Sequence, residues 1–127
     1  MIWEVTAAIP NWKPPSLNTY LAHHWTTKRK LKKETGAILS AYLKAAGAKT
    51  IDPTAPRFRT IDIAVRYPIK SRGKMVDPDN LLKVTLDALV TDGWLHDDSS
   101  QWCQFTVSVG RSADVKTVTT FLTLKEI

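Results

Sequence analysis

The chain has 127 residues, 43% hydrophobic and 24% charged, with a formal net charge of +6 and a pI near 9.6. That length accommodates one domain with a real apolar core, so neither disulfides nor a structural metal is needed to hold it together. A lone cysteine, Cys103, excludes an intrachain disulfide, and no apolar run approaches the ~20 residues of a membrane span.

The N-terminus carries Glu4 where a signal peptide would be basic, and Pro10 cuts its apolar run short, so a soluble, cytoplasmic protein is expected. Residues 1–9 (MIWEVTAAI) alternate loosely and read as a strand, ended by Pro10 and the Pro14-Pro15 pair. From Asn18 to Ala46 the chain looks helical, with Leu31, Ile38, Leu39, Tyr42 and Leu43 at helical spacing and Gly47 as its stop. Gly36 and the Thr26-Thr27 pair argue against one unbroken helix. A Pro-rich connection, residues 50–57, leads to a strand over Phe58 to Tyr67 and then to the basic loop Lys70-Ser71-Arg72-Gly73-Lys74. A second helix is predicted from Pro78 to Thr91, with Leu82, Leu86 and Leu89 on its apolar face, Gly93 as its stop, and Trp94-Leu95 packing back. Two strand-like runs follow, Trp102 to Val109 and Lys116 to Leu124, joined by a turn over Gly110 to Asp114; Cys103 lies in the first as a buried structural thiol. The order β-α-β-α-β-β predicts a single α+β domain over residues 1–127, with a mixed or mostly antiparallel sheet and helices packed on it.

Charge is unevenly placed. Residues 1–76 carry 14 Lys/Arg against four acids, whereas residues 77–103 carry six aspartates and one lysine, Lys83. A basic chain favours a polyanionic partner, and an acidic segment inside it invites the question of what those acids hold.

In the segment Asp77-Pro78-Asp79-Asn80, residues i and i+2 of an extended chain face the same side, so Asp77 and Asp79 can converge. Asp79 is suited to the N-cap, or next to it, and Lys83 would follow on the same helical face one turn later. Two carboxylates, waters and substrate phosphate oxygens make the usual Mg²⁺ shell. Asp97 or Asp98 offers a third acid, but a helix of roughly 14 residues spans ~20 Å, so Asp98 reaches Asp79 only if the chain folds back or a neighbouring subunit supplies it. Capping alone accounts for Asp79, a solvated turn for Asp97-Asp98, and a surface pair with Lys83 for Asp87. The combination is harder to dismiss than each alone.

The run Asp77-Pro-Asp79-Asn80-Leu81-x-Lys83, then Asp87-Ala88-Leu89, then Gly93-Trp94-Leu95-x-Asp97-Asp98 resembles the RusA family of Holliday junction resolvases, endodeoxyribonucleases of phage and prophage. Pro14-Pro15-Ser16-x-Asn18 resembles that family's P-P-S-x-N segment, while between residues 20 and 70 only the order of elements agrees. The resemblance implies a homodimer that binds branched DNA at four-way junctions and cuts two strands symmetrically with Mg²⁺, for which Mn²⁺ can substitute, and without a small-molecule cofactor. It assigns metal binding to Asp77, Asp79 and Asp98 and makes Lys83 the catalytic lysine. His96 departs from the apolar residue usual before the Asp-Asp pair and is read as a solvent-facing substitution in preference to a secondary ligand.

DNA contacts are expected from Lys28, Arg29, Lys30, Lys32 and Lys33, although a solvated helix face explains that cluster equally well, and from Lys70, Arg72 and Lys74 beside the acids. His23-His24 lacks the companions of a zinc site. Trp12 and Trp25 are the tryptophans best placed to stack on unpaired bases. The competing readings are a non-catalytic DNA-binding protein whose aspartates cap and solvate a helix, and a phosphohydrolase of small substrates, for which no Gly-rich phosphate cradle is present.

Overall fold

The structure, a computed structural model, describes residues 3–16 and 24–127. Its elements are β1 (Trp3–Pro10), α1 (Trp25–Ala45), β2 (Arg59–Pro68), a 3₁₀ turn (Pro78–Leu81), α2 (Leu82–Thr91), β3 (Cys103–Ser112) and β4 (Thr119–Glu126). The predicted α+β order holds. Asn18 and His23 lie outside the described residues.

The four strands form one mixed sheet in the order β1-β4-β2-β3. β4 is antiparallel to both β1 and β2, and β2 is parallel to β3. A parallel pair requires a crossover, which α2 provides. The turn expected over Gly110 to Asp114 lies three to four residues later, over residues 113–118, because β3 continues to Ser112 and β4 begins at Thr119. It also joins strands that are not neighbours, since β2 lies between them.

Alternation along the strands sends Ala7, Ile9, Leu122, Leu124, Ile61, Ile63 and Cys103 into one core with Leu39 and Leu43 of α1 and Leu86, Leu89, Trp94 and Leu95 from α2 and its exit. The register aligns Ala7, Leu122, Ile63 and Val107 in one row, so a slip of one residue would turn every apolar side chain outward.

α1 runs unbroken through both suspect positions. His24 caps it, its Nδ1 accepting from the Thr26 amide at 3.4 Å. Gly36 is buried where α1 meets α2, and a Cβ there would run into the Asp92 carboxylate. Close approach of the helices thus explains a residue that costs a lone helix about 1 kcal/mol. Ser40 reinforces the contact: its hydroxyl donates to Asp92 Oδ2 at 3.2 Å and accepts from Trp94 Nε1 at 2.8 Å.

Both helices end alike. Gly93 has φ +81° and donates to the Val90 carbonyl at 3.2 Å, and Trp94 donates to that of Leu89 at 2.9 Å. Gly47 (φ +93°) and Ala48 repeat the pattern on Lys44 and Leu43. This paired-bond stop drives the residue after the glycine into the core, which is why Trp94 is buried.

Candidate active site

The basic loop leaves β2 through a turn in which Ser71 donates to the Pro68 carbonyl at 3.0 Å, and Arg111 Nη2 donates to the Ser71 carbonyl at 3.4 Å. Lys70, Arg72 and Lys74 are all exposed along it. The Val76 amide then donates to the Tyr67 hydroxyl at 3.4 Å, which returns the chain to the end of β2 immediately before Asp77.

Asp77, not Asp79, is the N-cap. It is extended (φ −71°, ψ 128°), as a residue before proline prefers, and its Oδ1 accepts from the Asp79 amide at 3.2 Å. The Asn80 amide donates to the Asp77 carbonyl at 3.0 Å, an i to i+3 bond that makes this turn 3₁₀ rather than the α-helix expected from Pro78. Pro78 takes the position where a missing N–H costs nothing. Asp79 therefore lies in the first turn, where a negative charge suits the positive end of the helix.

Asp77, Asp79, Asp97 and Asp98 are all exposed. The ion pairs among the described residues are Lys30–Glu34, Arg59–Glu126 and Lys83–Asp87, and none involves those four acids. In a chain with six excess positive charges, leaving these carboxylates without counter-ions is notable. The donor set suits a hard dication: two oxygen ligands on one turn, both open to water. Lys83 projects from the first turn of α2, its Nζ 3.4 Å from Asp87 Oδ1, with 61% of the side chain exposed. So weak and exposed a pair leaves the ammonium able to turn toward a phosphate.

Asp98 is elsewhere. It follows the far end of α2, which alone rises by about 15 Å, and its charge bears on the buried Cys103 thiol at the start of β3. Burial first and Asp98 second push that thiol up to about 11, so Cys103 is the inert structural thiol expected. Among the described residues no three His, Cys, Asp or Glu side chains form a group able to hold a metal ion. Asp77 and Asp79 share one turn, with Lys83 soon after it, and among the described residues of one chain no third acid groups with them.

Residues 11–119 match the family described as endodeoxyribonuclease RusA. The chain belongs to the RusA endodeoxyribonuclease family. Membership makes it a nuclease of the kind that resolves Holliday junctions, acting on branched DNA. A search of curated proteins found no match.

Arg29, Lys32 and Lys33 line a groove of about 350 Å³ with Ala88, Thr91 and Asp92, at the C-terminal end of α2 and so away from Asp77 and Asp79. Lys28 and Lys32 are half-buried and Lys30 is exposed. Trp25 is 59% exposed, with the Arg29 guanidinium 5.1 Å from its ring centre. Trp12 instead packs on the core, which disfavours it as a stacking platform. His96 is half-buried, its ring edge-on to Trp102 at 4.8 Å, so it is not the solvent-facing substitution expected.

Sequence reasoning missed Arg59. It is 2% exposed and bonded to Glu126, Lys49 and Trp94. The signal was present: Arg59, Ile61, Ile63 and Val65 share one alternation, which puts a guanidinium on the apolar face of the sheet.

Proposed function

We propose that this nuclease is a homodimer that cuts four-way DNA junctions symmetrically with Mg²⁺, which Mn²⁺ can replace, and that it acts in DNA recombination and repair in the cytoplasm. The observation that carries the reading is the pair Asp77 and Asp79: exposed, without counter-ions, on one turn between a basic loop and Lys83.

Asp77 and Asp79 would hold the metal, which when bound supplies a water of lowered pKa and a polarised phosphoryl oxygen. Lys83 leaves Asp87 to face the phosphate and places positive charge where negative charge accumulates. Lys70, Arg72 and Lys74 bind the flanking phosphates, and the cluster from Lys28 to Lys33 binds a more distant stretch of backbone. Two-fold pairing of subunits matches the approximate two-fold symmetry of a four-way junction and presents two equivalent sites. In this reading the Asp98 that completes each site comes from the second subunit, which fits the lack of a third acid beside Asp77 and Asp79 among the described residues of one chain.

Asp79→Asn is expected to bind a synthetic four-way junction with unchanged affinity and to lose Mg²⁺-dependent nicking. Wild-type cutting by that variant would refute the acid-site mechanism, and equal cutting of linear duplex by the unaltered protein would refute junction selectivity.

A further inference from the structure

We propose that Arg59 is a positioning residue for the loop that carries Asp97 and Asp98, clamping both stems of that loop to the first residue of β2. The inference rests on the reading of Asp98 as a catalytic acid.

The loop leaves the core at Trp94 and returns at Trp102. Arg59 bonds to both residues: Nη1 donates to the Trp94 carbonyl at 3.0 Å, and the Arg59 amide donates to the Trp102 carbonyl at 3.2 Å. Inside those stems the His96 ring meets Trp102 edge-on at 4.8 Å. The Trp102 and Cys103 amides both donate to the Ser99 carbonyl, at 3.0 and 2.9 Å, and Asp97 Oδ1 accepts from the Asp98 amide at 2.8 Å. The acids are therefore exposed at the tip of a loop whose base is bonded throughout.

The clamp is itself held from three sides. Nη1 also donates to the Lys49 carbonyl at 2.6 Å, both Nε and Nη2 lie 3.1 Å from Glu126 Oε1, and the Trp3 ring covers the guanidinium at 4.7 Å. A planar fork with donors on all three nitrogens serves these acceptors at once, whereas a lysine has one nitrogen to offer. Glu126 fixes the guanidinium but does not touch the loop, so losing the carboxylate and losing the fork have different consequences.

The test compares Arg59→Lys, Glu126→Gln and Asp98→Asn for thermal stability, calorimetric Mg²⁺ affinity, junction binding and nicking. Arg59→Lys is expected to remain folded and to bind junctions, while its half-saturating Mg²⁺ rises roughly tenfold, the order of effect expected when the support behind a metal ligand is lost. Glu126→Gln should lower stability and leave that Mg²⁺ requirement unchanged. An unchanged requirement in folded Arg59→Lys, with Asp98→Asn inactive, overturns the role of Arg59 alone. Wild-type nicking by Asp98→Asn overturns the assignment of Asp98, and this inference with it. Should Arg59→Lys not fold, amide exchange in the unaltered protein decides: the Arg59 amide should be protected like the central strands, and exchange at the rate of open loops would refute the clamp.

Discussion

Equal amounts of Asp79→Asn and Asp98→Asn protein, unfolded together and refolded, are expected to recover nicking that neither variant has alone. Random pairing makes about half of the dimers mixed. If Asp79 and Asp98 of one site come from different subunits, a mixed dimer concentrates both substitutions in one site and leaves the other intact. About one site in four of the whole population is then wild type, so nicking should return to roughly a quarter of the unaltered rate. If all three acids came from one chain, every site would carry a substitution and nothing would return. The arrangement of acids favours the first case, because Asp77 and Asp79 precede α2 and Asp98 follows it, and among the described residues no third acid joins the pair. A supercoiled plasmid with an extruded cruciform provides the assay. A mixed dimer has one live site, so its first product should be nicked circle, whereas the unaltered protein should yield linear product. Activity no higher than that of each variant alone would refute the divided site.

Glu126→Leu should cost about 3 kcal/mol or more, because it leaves a buried guanidinium without its counter-ion; urea unfolding measures this, and a loss under about 1 kcal/mol would mean that the Lys49 and Trp94 carbonyls suffice. Cys103 should react with iodoacetamide far more slowly in the folded than in the unfolded chain, and faster in Asp98→Asn, since burial and the Asp98 charge both raise its pKa. For the same reason the stability contributed by the neutral thiol is full below about pH 8.5 and is lost as the pH rises toward about 11. Lys30→Glu combined with Lys33→Glu should weaken junction binding and reduce the salt slope by roughly two; an unchanged slope removes α1 from the DNA surface.

The elements were legible where one face is buried and the other is not. β2 announces itself through Ile61, Ile63 and Val65, and α2 through Leu82, Leu86 and Leu89, because each packs a single periodic face. β3 was harder to place, being an edge strand whose Gln104, Phe105 and Thr106 are all exposed, and its parallel pairing with β2 depends on the crossover above it. The acid pair could be read because Asp77-Pro78-Asp79 is local chemistry. The Asp92–Ser40–Trp94 contact and the bonds of Arg59 join residues distant in sequence, and no spacing rule records them. The 3₁₀ start of the second helix was missed for a different reason: capping by Asp77 and capping by Asp79 look alike until the i to i+3 bond is seen.

The placing of β4 between β1 and β2 bears on how the protein is made. Among the described strands β1 pairs only with β4, although almost the whole chain separates them, and Glu126, which holds Arg59, lies at the end of that same strand. During synthesis β1 emerges well before β4, and their pairing waits for that later strand. Until β4 inserts, the sheet has a gap at its centre and the arginine at the foot of the Asp98 loop has no carboxylate beside it. Insertion of β4 is therefore the event that both closes the sheet and gives Arg59 its carboxylate.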